Sequence, residues 1–325
     1  MGQPNTRGLI ISGPLQNVSL AYRNMAFVAD EVFPIIDSSS PEAKIGKYPK
    51  GAWFRDEAGI RAPGTRARRG GYAITTSAIV AVEYAFAKEV TDEDVKYAGL
   101  ANTPPMQPIQ DAIEFCTMKI DLKKEIRVAA IVKGTTWSSA NNDAEGGWAQ
   151  DAGTNTFIVD IETAIDTIES NTGFRPNRLM LTSNTYSHVK QISGVIDRIK
   201  YTQRGVVAAD TIAALFDLEK VVIAGAIQNT AKETKAATEF TASRIWETTA
   251  TKGSAFLYYK PPSLGLRTPI AGLQVRVPYE NGQYRQTKTW REEAEGQDVY
   301  QVAENTDIEC IGADLGYYFY DTIAD

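Results

Sequence analysis

One histidine, two cysteines and scattered carboxylates are what this 325-residue chain offers for catalysis. His188 has Ser183 and Ser187 close by in sequence, the residue types of a base and its nucleophile. All three fall on one expected helix, whereas a triad needs an orienting acid and an oxyanion hole supplied by other elements. His188 therefore reads as a surface or helix-end histidine. Asp160, Glu162, Asp166 and Glu169 share one helical stretch and suggest acid–base work. Apolar residues fill the opposite side of that stretch, so the four acids read as a solvated face. Asn141, Asn142, Asp143 and Glu145 lack calcium-loop spacing. Cys116 and Cys310 are far apart, and with one histidine they cannot build a typical zinc centre. They are not expected to pair, which suits a reducing compartment. Neither a P-loop nor a dinucleotide fingerprint is present. No enzymatic activity, metal or cofactor is expected.

The charge pattern is more informative. Residues 44–72 carry Lys44, Lys47, Lys50, Arg55, Arg61, Arg66, Arg68 and Arg69 against only Asp56 and Glu57, interleaved with glycine and proline. A long basic ribbon with no apolar set of its own cannot form a core, and such a loop is usually functional. From Glu280 to Asp325 the balance reverses, with Glu292, Glu293 and Glu295 at its densest point. The net charge of −6 argues against a dedicated nucleic-acid binder. Pairing of ribbon and acidic stretch between copies of the chain is one expectation, and two separately solvated faces the other. The candidate intersubunit contacts are Lys50, Arg55, Arg61, Arg66, Arg68 and Arg69 on one side, and Glu292, Glu293 and Glu295 on the other.

The elements that must position these residues follow from periodicity. Residues 1–43 read as an extended arm with one short helix near 21–32, broken by Pro34 and the Ser38–Pro41 run. After the ribbon, 72–90 is rich in β-branched and aromatic residues and predicts a returning strand that forms a two-stranded finger with the ribbon. Pro104 and Pro105 open a helix to about Lys133, with Ile109, Ile113, Cys116 and Ile120 on one face and Leu122, Ile126 and Ala129 or Ala130 continuing it. Lys119, Lys123, Lys124 and Arg127 are assigned to its remaining surface. Residues 134–156 are a polar loop. An α/β lobe follows: helix 160–171, strand 178–182, helix 183–192, helix 210–218 and strand 220–224, then a polar stretch over 225–243. The remainder is strand-rich, at 255–259, 272–277, 284–290, 298–303 and 315–320. With 43% hydrophobic and 23% charged residues the chain is an ordinary globular protein, and no apolar run is long enough to span a membrane. The N-terminus lacks a secretory signal, so synthesis in the cytoplasm is expected.

The order of arm, ribbon, long helix, α/β lobe and returning strands resembles a tailed-bacteriophage major capsid protein of the HK97-like fold. TGFRPNRLMLTSNTYSHVKQ at 172–191 and EKVVIAGAIQNTA at 219–231 resemble the axial-domain segments of such proteins, and AFLYYKPPSLGL at 255–266 the chain leaving that domain. The resemblance covers nearly the whole chain. It implies an α+β fold with an N-terminal arm (1–43), an E-loop (44–90), a peripheral domain with spine helix (91–156), an axial domain (157–254) and strands returning to the peripheral domain (255–325). It implies a homo-oligomer of pentamers and hexamers closing into an icosahedral or prolate shell around double-stranded DNA, assembled in the host cytoplasm and found in the virion. Scaffolding, portal and decoration proteins are the implied partners, and DNA would be touched without sequence preference. Two alternatives stand beside it: an encapsulin-like compartment, and an α/β enzyme with a large insertion at 44–90.

Overall fold

The structure is a computed structural model that describes residue 24 and residues 27–98, 107–138, 142–149, 155–199, 207–232, 240–247, 252–265 and 267–323. Most of the expected N-terminal arm and the proposed helix start at Pro104–Pro105 lie outside these residues, as do parts of the two polar loops.

The α/β lobe is organised by a five-stranded mixed sheet. Its strands run in the order Asn142–Asp143, Gly316–Tyr320, Ala255–Tyr258, Arg178–Thr182 and Lys220–Ala224. Side chains alternate between the two faces of a strand, and here both faces are covered. Leu179, Leu181, Ala255, Leu257 and Phe319 point into a core shared with Phe157, Ile161, Ala164, Ile165 and Ile168 of the helix Phe157–Thr172. Their neighbours Met180, Phe256, Tyr258 and Tyr318 point the other way, onto Val128, Ala129, Val132 and Trp137. Burial on both sides is why these strands are nearly unbroken apolar runs. The expected boundary at 254/255 cuts through this sheet, because Ala255–Tyr258 pairs antiparallel with Arg178–Thr182, and Gly316–Tyr320 pairs with it in turn. Both strands belong to the lobe. The helix Phe157–Thr172 ends where the sequence indicates, at Gly173, whose φ of +73° favours a residue without a Cβ.

The long helix runs Pro108–Gly134, 27 residues and about 40 Å at 1.5 Å per residue. It starts at Pro108, where proline's fixed φ and missing N–H fit the first turn. Ala112, Cys116, Ile120, Val128, Ala129 and Val132 form its buried face, while Ile109 is exposed. Two cations assigned to its outer surface are instead engaged. The Arg127 guanidinium lies 3.9 Å from the Tyr84 ring centre and donates to Thr306 Oγ1 at 2.9 Å, and Lys124 pairs with Asp30 at 3.0 Å.

A second five-stranded sheet lies alongside this helix. Its central strand is Gln297–Cys310, 14 residues where six were expected. One edge pairs first with Arg285–Glu292 and then with Gly272–Val277, while the other pairs with Val82–Thr91. Ile35–Asp37 adds a parallel strand at Gly272–Val277. The returning stretch is therefore two strands, broken at Ala81. Only Thr75–Val80 pairs with Glu42–Lys47 to make the finger; Val82–Thr91 serves the second sheet. The short helix near 21–32 is a single turn, Ala29–Val32, within the described residues. Phe33, just after it, presses so closely on Gly272 that a Cβ there would lie 2.6 Å from the ring.

Candidate functional site

Among the described residues, the ribbon is a long stretch that the body leaves uncovered. Glu42–Lys47 and Thr75–Val80 lift it on a two-stranded ladder whose last pair is Lys47 with Thr75. One step beyond, Tyr48, Trp53 and Tyr72 gather, with ring centroids 5.6–5.9 Å apart. A one-turn helix, Lys50–Trp53, follows Pro49. From Arg55 to Ile74 the chain has almost no cover. Ile60 within this stretch is fully exposed, and Phe54 just before it is 68% exposed.

The candidate contacts on the ribbon divide into two groups. Lys50 reaches Asp314 of its own body at 2.8 Å, Arg55 lies 3.5 Å from Glu57, and Arg61 donates through Nε to the Thr65 carbonyl at 2.6 Å. These three are engaged within the chain. Arg66, Arg68 and Arg69 are exposed and form no ion pair among the described residues. Three guanidiniums on an uncovered strip form a cationic surface whose chemistry favours carboxylates or phosphates in bidentate geometry.

The acidic candidates sit at the turn joining Arg285–Glu292 to Gln297–Cys310. Gln297 Nε2 donates to Glu292 at 2.7 Å and to Glu295 at 3.1 Å. The bond from Gln297 holds the Glu292 carboxyl below its usual range, and Glu292 itself pushes Glu295 up. Glu293 is 85% exposed, with Arg291 Nε at 3.7 Å. Arg291 turns mainly to Asp92, meeting both carboxylate oxygens at 2.7 Å. No ion pair among the described residues joins this turn to the ribbon, so any pairing of the two has to be between copies.

A residue that pattern reading passed over holds the arm in place. Glu125 is fully buried on the long helix. Its carboxylate accepts from the Val28 amide at 2.9 Å, the Ala29 amide at 2.8 Å and the Trp246 indole at 2.6 Å. Burial pushes the carboxyl up, and these donors offset part of that. Glu125 thus ties arm, long helix and lobe at one point. The signal was in the spacing, since Glu125 stands three and four residues before Val128 and Ala129 and so falls on the apolar face.

The residues with catalytic potential do not converge. Ser187 Oγ donates to the Ser183 carbonyl at 2.9 Å on the helix Ser183–Val189, and His188 Nδ1 is buried without a hydrogen-bond partner. Asp160 is not simply solvated: it accepts from Trp148 Nε1 and Thr156 Oγ1, both at 2.7 Å, and anchors the start of its helix. Glu162, Asp166 and Glu169 are exposed as expected. Cys116 and Cys310 are free thiols, and burial pushes Cys310 up to about 11. Among the described residues no cluster of three or more potential ligands could hold a metal, and no helix is long and apolar enough to cross a membrane.

No family model matches the sequence. The chain is 22% identical over 228 residues to the major capsid protein of Burkholderia phage BcepMu, an alignment spanning 67% of this chain and 70% of that one. A phage-related protein from Bordetella bronchiseptica RB50 superimposes with a TM-score of 0.67 at 20% identity, over 94% of both chains. The capsid of cyanophage P-SCSP1u gives 0.62 at 12% identity, covering 98% of this chain and 95% of that one. An encapsulin complex from Synechococcus elongatus PCC 7942 gives 0.53 at 8% identity, covering 99% and 96%. At these identities the structural likeness is one of fold.

Proposed function

We propose, from an HK97-like α+β shell fold as premise, that this chain is the major capsid protein of a tailed bacteriophage. Copies of it close into pentamers and hexamers and enclose a double-stranded DNA genome. The observation that carries this reading is the ribbon: a cationic strip, raised on its own ladder, that the other described residues leave bare, with Phe54 and Ile60 exposed on it. A long uncovered loop that carries cations and a few exposed large side chains suits an interaction surface. A two-stranded hairpin is marginal alone, so the finger gains its full stability only against a partner.

In this reading Arg66, Arg68 and Arg69 lie across the neighbouring copy and face an acidic surface there. The turn carrying Glu292, Glu293 and Glu295 is the candidate. The lobe, with the strands Ala255–Tyr258 and Gly316–Tyr320 included, forms the axial part that meets its copies around each ring. Scaffolding, portal and decoration proteins are proposed partners, packaged DNA is touched through its phosphates, and assembly takes place in the host cytoplasm before the protein resides in the virion.

Reversing Arg66, Arg68 and Arg69 to glutamate should abolish particles while leaving the purified subunit folded. Size-exclusion chromatography and negative-stain microscopy read the first, and circular dichroism the second. Unchanged particle yield would remove the ribbon from the mechanism. The likeness to an encapsulin favours one second reading, a compartment around protein cargo. Dense nucleic acid inside purified particles supports the phage reading, and a co-purifying enzyme supports the compartment.

A further inference from the structure

Lys50 is placed by charge alone among the residues that grip a neighbour, but its surroundings give it a different task. The finger's ladder ends at Lys47 and Thr75, and the next aromatic side chain on each limb, Tyr48 and Tyr72, meets the other at 5.9 Å between ring centroids. Trp53 closes the group, 5.9 Å from Tyr48 and 5.6 Å from Tyr72. The two limbs of the ribbon are therefore tied together at its root.

That root is also tied to the body at separate points. The Arg267 guanidinium lies over the Tyr48 ring at 5.3 Å, and Arg267 holds a φ of +66°, a left-handed conformation that side-chain-bearing residues adopt at a cost. Lys50 Nζ meets Asp314 at 2.8 Å. Asp314 sits on a fixed platform, since Ser138 Oγ donates to its carbonyl at 2.9 Å and Ser138 N donates to the Ala313 carbonyl at 3.1 Å. Phe54 faces Gly173, where an added Cβ would lie at ordinary contact distance, 3.7 Å from its ring. The cleft enclosed by these contacts has a volume of about 460 Å³ and is lined mainly by apolar atoms.

We propose that Tyr48, Trp53 and Tyr72, together with Arg267 and the Lys50–Asp314 pair, form an in-chain clasp that aims the ribbon before any neighbour arrives. The clasp residues are positioning residues, and the grip itself belongs to the exposed segment beyond them. A flexible loop ordered only on docking loses that ordering entropy from the contact, and holding its root in the docked direction removes part of the loss. The same loss recurs at every copy in a closed ring, so a small bias per subunit compounds in the assembly. The consequence for assembly rests on the shell reading; the clasp itself does not.

The test separates the two. In the unassembled subunit, Lys50→Glu should speed amide exchange across residues 48–54 by about fivefold, the scale of one exposed ion pair. Tyr72→Ser should do so by about tenfold or more, since it removes two ring contacts. Exchange in the lobe stays unchanged in both. Particle yield should fall about tenfold with Lys50→Glu or Asp314→Lys alone, the per-copy loss multiplying around a ring. The double variant carrying both changes in one chain should regain it. A mixture of Lys50→Glu subunits with Asp314→Lys subunits should remain defective, because the pair forms within one chain. Unchanged exchange in the single variants overturns the clasp, as does a mixture that assembles like the original protein. If even the unaltered chain forms no particles, the shell reading fails while the exchange result still decides the clasp.

Discussion

Trp137 and Trp53 each sit among aromatic rings, yet their circumstances differ. Trp137 is fully buried, 4.7 Å from the Phe256 ring centre, and its indole donates to the Val132 carbonyl at 2.7 Å. Trp53 touches Tyr48 and Tyr72 but remains 53% exposed. The lobe around Trp137 buries both faces of its sheet against other elements of the same chain. The ribbon around Trp53 is aimed by its root and left open beyond it. The difference separates a packed core from an open surface: aromatic content alone does not distinguish the two, and the number of layers packed around the ring does.

Substitutions can widen or collapse this contrast. The largest effect is expected from Trp137→Ala, which should lower the unfolding free energy by about 3–5 kcal/mol through the cavity it leaves. Trp53→Ala should change it by only about 0.5 kcal/mol, as surface substitutions do. Urea denaturation of both variants checks this, and comparable losses would mean that the ribbon is part of the cooperative core.

Glu125→Leu comes next. It keeps the volume but strands the Val28 and Ala29 amides and the Trp246 indole, and should cost about 2–3 kcal/mol. Proteolysis near residues 27–33 should increase at the same time, because the arm loses its tie to the long helix. A loss of stability without that local opening would place the role of Glu125 within the lobe alone.

The smallest effect concerns Asp92. Hydrogen bonds from Arg291, and then its charge, hold the Asp92 carboxyl below its usual range. Stabilisation from a depressed carboxyl is present above its unfolded value and lost as pH falls through the lower folded value. Arg291→Gln should bring the Asp92 titration back up when followed by NMR, with no measurable change in stability at neutral pH, since the pair is exposed. An unmoved titration would show that Asp92 is held by something other than Arg291.

Much of the fold is legible in the residues. The strands Arg178–Thr182, Lys220–Ala224 and Gly272–Val277 appear within the expected bounds, because buried strands are short apolar runs. The helix stop at Gly173 follows from a residue that tolerates positive φ. The bounds of the second sheet's central strand are less legible. Polar residues such as Glu304 and Thr306 interrupt its pattern, and its length is set by partners on both edges. Glu125 was passed over because a carboxylate on an apolar face is unfavourable unless donors from distant segments surround it, and those donors come from residues 28, 29 and 246.

The ribbon shows the same division. Its charge, its glycines and its lack of an apolar face are properties of local sequence, and they determine by themselves that no core can form there. Which cations stay free is decided by tertiary structure. Lys50 finds Asp314 across 264 residues, whereas Arg66, Arg68 and Arg69 form no ion pair among the described residues. Composition and periodicity act over a few residues and so fix what each segment must bury or expose. Pairing between distant side chains depends on how the layers stack, and only the folded chain determines that.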